Sequence, residues 1–108
     1  MNDPIRELLQ QIGASKTVTS TKLFANFLDQ VGEVFELYGF GTTEVFLLEK
    51  QERADTSRQA QAALEVLAMM ETVPLIHKRR AIGRTIFKTL PTIAGRTPRH
   101  SQRRRANR

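Results

Sequence analysis

The sequence predicts an all-α fold: a small single domain of four to five helices over residues 1–95, followed by a disordered basic C-terminal arm over 96–108. Three features lead to that expectation. Apolar residues recur at helical spacing in successive windows. Residues that start and stop helices punctuate those windows. From Arg96 onward there is no Val, Leu, Ile, Met or aromatic side chain, so this segment cannot bury enough surface to offset the entropy of ordering it.

The first helix opens on Asp3 as N-cap with Pro4 in the first helical position, and Gly13 suits its end. Ile5, Leu8, Leu9 and Ile12 form its apolar stripe. One stripe on so short a helix requires docking, because isolated helices of this length do not persist in water. Residues 14–20, small or β-branched, read as a loop or a short extended stretch. The second helix is expected from about Thr21 to Tyr38. Phe24, Phe27, Leu28, Val31, Val34, Phe35 and Tyr38 form its apolar face, Asp29, Glu33 and Glu36 lie on the other side, and Gly39-Phe40-Gly41 closes it.

Thr42 or Thr43 is expected to cap a third helix carrying Val45, Phe46 and Leu48. Thr56 and Gln59 have capping-box spacing and place a fourth helix over 57–72, with one unbroken helix over 43–72 as the alternative. Ala60, Ala63, Leu64, Leu67 and Met70 make the stripe of that fourth helix, widened by Val66 and Met69. Pro74 ends the pattern and opens a fifth helix over about 75–90. There Leu75, Ile82, Ile86 and Leu90 share one sector, while His77, Arg80, Arg84 and Lys88 share the opposite one. Arg79 falls in the apolar sector and breaks the pattern.

With 108 residues the chain has room for one domain, and a domain this small buries only about 60–65% of the surface its unfolded chain exposes. A homodimer through the second and fourth helices is therefore expected. Without cysteine there are no disulfides and no thiolate metal sites, and His77 and His100 are separated by a stretch without acids. No metal or other cofactor is expected. The longest apolar runs are three to four residues, such as 45–48, far short of a membrane span of about 20. The start Met-Asn-Asp-Pro does not resemble a secretory signal. Location inside a cell or virus, cytoplasmic or in the nucleoid or nucleus, is the expectation.

Catalysis finds no support in the residues. His77 sits among Lys78, Arg79 and Arg80, and His100 lies in the arm. The acids are spaced as on solvated helix faces, and the six glycines form no phosphate loop. Charge is the informative signal. Residues 1–77 hold all eleven acids and a net charge of −5, whereas residues 78–108 hold eleven basic residues and no acid. Nine of those eleven are arginine, whose planar fork matches phosphate oxygens and guanine edges.

The expected function is non-enzymatic nucleic-acid binding in an accessory, packaging or regulatory role. Lys78, Arg79, Arg80, Arg84 and Lys88 on the fifth helix, with Arg96, Arg99, Arg103, Arg104, Arg105 and Arg108 in the arm, are the candidate contacts. DNA ranks slightly ahead of RNA because no aromatic residue interleaves the basic run, with double-stranded RNA still open. A solvated basic face is the plain alternative for Arg80, Arg84 and Lys88 taken alone.

Two motifs are weaker fits. Thr72-Val73-Pro74 is an awkward helix-turn-helix corner, lacking glycine. Residues 16–50 follow a ribbon-helix-helix order only if 17–22 is a strand. The rival function is a helical protein-interaction adaptor docking a partner on Met69, Met70 and the alanine stripe. Peripheral membrane attachment through the basic helix is weakened by the lack of tryptophan.

Overall fold

The computed structural model describes residues 3–96, which form seven helical segments and no strand. They are α1 (Pro4–Ala14), α2 (Lys16–Ser20), α3 (Ala25–Tyr38), α4 (Phe40–Gln51), α5 (Ser57–Met70), α6 (Pro74–Lys78) and α7 (Arg80–Arg96). The all-α expectation holds. The arm over 97–108 lies outside the described residues, as do the side chains of 94–96.

Helix α1 starts as its sequence dictates: the Asp3 carboxylate accepts the Ile5 N–H at 3.0 Å, and Pro4 is the first helical residue. Residues 16–20, expected as a loop or short extended stretch, are instead a single helical turn. Ser15 caps it, its hydroxyl oxygen accepting the Val18 N–H at 3.1 Å, and Val18 is fully buried. Burial and a cap together override the low helix propensity of Thr-Val-Thr. The same turn removes the strand that a ribbon-helix-helix requires.

Helix α3 therefore begins at Ala25 rather than Thr21. Phe27, Leu28, Val31 and Phe35 are buried, while Phe24 and Tyr38 at the two ends are exposed. Gly39 alone turns the chain, and Phe40 already belongs to α4. Its φ of 90° with ψ of −172° is glycine territory, and it lets α4 follow α3 with one intervening residue. The Gly39 carbonyl accepts both the Thr43 N–H and the Thr43 hydroxyl.

In α4 the expected inner residues are corrected. Thr43 and Leu47 are buried and Phe46 is half-buried, whereas Val45 and Leu48 point outward. The chain breaks at 52–56, so 43–72 is not one helix. Thr56 and Gln59 do not form a capping box. The Thr56 hydroxyl donates to the Lys50 carbonyl at 2.6 Å, and the Gln59 side-chain oxygen accepts the Phe24 N–H at 2.9 Å, tying α5 to the start of α3.

The expected helix over 75–90 is two helices. Arg79, at φ −126° and ψ 76°, separates α6 from α7, so the wheel that placed it among apolar residues does not run through it. This break lets Ile76 on α6 and Gly83, Ile86, Phe87 and Leu90 on α7 all face inward. Pro91 does not end the helix, which continues to Arg96.

Packing follows from these faces. Helix α7 lies against α3, α4 against both α3 and α5, and α1 with α2 closes the end formed by α5 and α7. Phe35 and Phe87 meet at the centre, ring centroids 6.1 Å apart and tilted by 59°. Gly83 is needed here, since a methyl at that position would overlap the Phe35 ring. Ala60, Ala62, Ala63, Val66, Leu67 and Met70 of α5 are buried in the same core. The inner faces of α3 and α5, expected to join two copies, are thus occupied within one chain. Met70 and the alanines are equally unavailable to an adaptor's partner.

Candidate nucleic-acid interface

Residues 77–88 define the folded part of the candidate interface, and the antiparallel packing of α7 on α3 divides them into two groups. Toward the middle of α7, Arg84 crosses α3 at Gly32. A Cβ on Gly32 would lie 3.1 Å from the Arg84 side chain and 3.2 Å from its carbonyl oxygen. From there the guanidinium reaches along α3 and donates to the Glu36 carboxylate at 2.6 Å. This hydrogen bond, reinforced by the charges of Glu36, Asp29 and Glu33, raises the Arg84 pKa above its ordinary value. One turn on, Lys88 stands 3.9 Å from Asp29, with both side chains more than half exposed. Such a pair adds little stability. It does place a carboxylate beside the lysine.

The acidic side of α3, read from sequence as a solvated face, is therefore the electrostatic partner of α7. A phosphate approaching Arg84 or Lys88 also meets Asp29, Glu33 and Glu36. These two basic residues are poorer phosphate anchors than their charge alone implies.

The second group sits at the corner between α6 and α7. Lys78 ends α6, Arg79 is the linking residue and Arg80 begins α7, and all three are exposed. Among the described residues none of the three takes part in an ion pair. Arg80 extends over the α3–α4 turn, where its Nη1 would lie 2.8 Å from a Cβ built on Gly39. The first turn of α7 holds no acid, so the positive end of its dipole adds to the potential of the corner.

His77 stacks on Phe40, with ring centroids 6.0 Å apart and planes 19° from parallel. Tyr38, 64% exposed, is the residue before Gly39. The Phe40–His77 pair thus borders the basic corner, although no aromatic ring occurs within the basic run, while Tyr38 lines the α3–α4 groove with Phe46 and Lys50. Sequence reading could not find this pairing, because Phe40 precedes Arg80 by forty positions and only the fold brings it to His77. The absence of interleaved aromatics no longer separates duplex from single-strand binding. The remaining candidates, Arg99, Arg103, Arg104, Arg105 and Arg108, lie outside the described residues, and Arg96 is described only as the last residue of α7.

The buried polar side chains have structural tasks. Ser15 caps α2 and donates to Glu65 at 2.7 Å, Thr43 bonds the Gly39 carbonyl, and Gln59 bonds the start of α3. No group of three or more His, Asp or Glu side chains among the described residues has the arrangement of a metal site. None of the described helices is long and apolar enough to cross a membrane. Comparison with protein-family profiles, curated proteins and solved structures gives no match, so the corner is interpreted on its own chemistry.

Proposed function

We propose that this protein is a non-enzymatic nucleic-acid-binding protein that holds the phosphate backbone through Lys78, Arg79 and Arg80 and through the arginines from Arg96 onward. The single observation behind this reading is a run of 31 residues, from Lys78 to the end, with eleven basic residues and no acid. The position of its first three members at an exposed corner supports it. Phosphate contact of this kind is electrostatic and tolerant of sequence, which fits an accessory, packaging or regulatory role. DNA remains the first ligand to try, with duplex RNA and single strands beside it.

The test is fluorescence anisotropy of the full chain against labelled duplex DNA, duplex RNA and single strands at low and moderate salt. If six or more phosphates are engaged, affinity falls by at least about 10³ between roughly 50 and 200 mM salt. Replacing Lys78, Arg79 and Arg80 with alanine weakens all ligands alike and reduces the salt slope by roughly one per lost contact. The absence of binding to every ligand at the lower salt would end this reading.

A further inference from the structure

We propose that the outward face of α4 is a docking surface for an amphipathic, basic-flanked helix of another protein. This surface is separate from the basic corner and does not depend on the nucleic-acid reading.

Helix α4 buries Thr43 and Leu47 and turns Val45 and Leu48 to solvent, 58% and 47% exposed. At about 100° per residue these two lie about 60° apart, with Gly41 between them, Glu44 about 40° beyond Leu48 and Glu49 about 40° beyond Val45. Glu52, just past the helix end, falls about 20° from Gly41 on the same projection and so closes the ridge at its C-terminal end rather than along an edge. Glu44, Glu49 and Glu52 are all exposed. The result is an apolar ridge with carboxylates along both edges.

Scattered exposed apolar residues are ordinary on protein surfaces. Gly41 adds a second observation. A Cβ built there meets nothing within 4 Å, and its backbone is not in the positive-φ region. Neither packing within the chain nor backbone geometry calls for glycine, and alanine is the better helix former. What glycine offers is close approach from outside, as where two helices cross. Gly41, Val45 and Leu48 are spaced i, i+4 and i+7, the pattern of one helix receiving another along its side.

Charge selects the occupant. A second copy laid on this ridge would bring Glu44, Glu49 and Glu52 against the same three residues. The chain's own segment from Arg96 onward is basic but lacks large apolar side chains to cover Val45 and Leu48. A partner helix with an apolar stripe between lysines or arginines satisfies both the ridge and its edges.

The test uses the full chain and a fluorescein-labelled peptide of about 18 residues, five helical turns. Leucines form its helical stripe and lysines its flanks. Controls are the same composition scrambled and the same stripe with glutamate flanks. The lysine-flanked stripe is expected to bind best. Val45→Asp with Leu48→Asp should weaken it at least about tenfold, and Gly41→Leu should weaken it too, since each removes complementarity at the ridge. Glu44→Lys with Glu49→Lys should reverse the preference toward the glutamate-flanked peptide. If the aspartate variant loses its helical circular dichroism, the charge reversal decides, because both of its sites are exposed. Equal binding of the scrambled peptide, or no reversal, overturns the proposal. So does sedimentation showing a dimer that Val45→Asp with Leu48→Asp converts to monomer, since the ridge would then belong to a second copy.

Discussion

Three glycines have different physical roles, and alanine at each gives a different outcome. At Gly83 a methyl meets the Phe35 ring and comes within 3.0 Å of the Met70 terminal methyl, both in the closed core. Overpacking of that kind costs about 1–3 kcal/mol, so Gly83→Ala should lower the urea midpoint clearly at unchanged slope. At Gly39 the backbone conformation itself excludes other residues, and Gly39→Ala should cost of order 1–3 kcal/mol. At Gly41 neither constraint applies, and Gly41→Ala should leave stability unchanged or raise it by up to about 1 kcal/mol. Wild-type unfolding of Gly83→Ala would mean that α7 does not seat on Phe35 as described. Of these roles only that of Gly39, expected to end a helix, was legible in the sequence, because helix termination is local. The close approach at Gly83 depends on Phe35, 48 positions away, which no local pattern reveals.

The helices themselves were legible wherever one apolar face met solvent on the other side. Helices α1, α3 and α5 follow from their stripes, since Leu8 and Ile12, Phe27 and Val31, and Ala63 and Leu67 are all buried. Local signals failed where tertiary contacts outweighed propensity. The turn of α2 exists because Ser15 caps it and Val18 is buried, and the break at Arg79 occurs with neither glycine nor proline at that position. In α4, Val45, Phe46, Leu47 and Leu48 are contiguous, so composition alone does not say which of them faces inward. The most instructive case is Gln59, whose spacing from Thr56 implied a local cap. Its buried side chain instead reaches the Phe24 N–H at 2.9 Å and fixes the entry to α3 from α5. Leaving a buried group without its partner costs about 1–3 kcal/mol, and with the Phe24 end of this bond partly open to water Gln59→Ala should fall toward the lower part of that range. Thr56→Ala should cost less, because Thr56 is only half-buried whereas Gln59 is buried. The two variants compared by thermal or urea unfolding check this ranking. The reverse order would show that the Thr56–Lys50 bond is the stronger tie.

Over the whole molecule, composition revealed that charge is segregated but not how the fold disposes of it. The acids of α3 and the bases of α7 are separated by about fifty positions, and only antiparallel packing sets Glu36 against Arg84 and Asp29 beside Lys88. That packing reduces the folded basic surface to the Lys78–Arg80 corner and leaves Arg84 and Lys88 screened by carboxylates. The screening can be removed without touching a basic residue. Asp29→Asn with Glu36→Gln takes away two negative charges and frees two positive ones. Because the pairs are partly exposed, the stability lost should stay near 1 kcal/mol per pair or less. If nucleic acid lies along α7 as well as at the corner, the double variant should bind several-fold more tightly. Its salt slope should steepen by up to about 1.8, the value for two additional phosphates on duplex DNA. If only the corner and the arginines beyond α7 engage the ligand, affinity should rise modestly through weaker long-range repulsion, with no change in slope. A chain ending at Arg96 separates the remaining contributions, since the slope it retains reports the folded domain without the arm. Retention of the full slope by that shortened chain would place all phosphate contact on the folded domain and remove the arm from the mechanism.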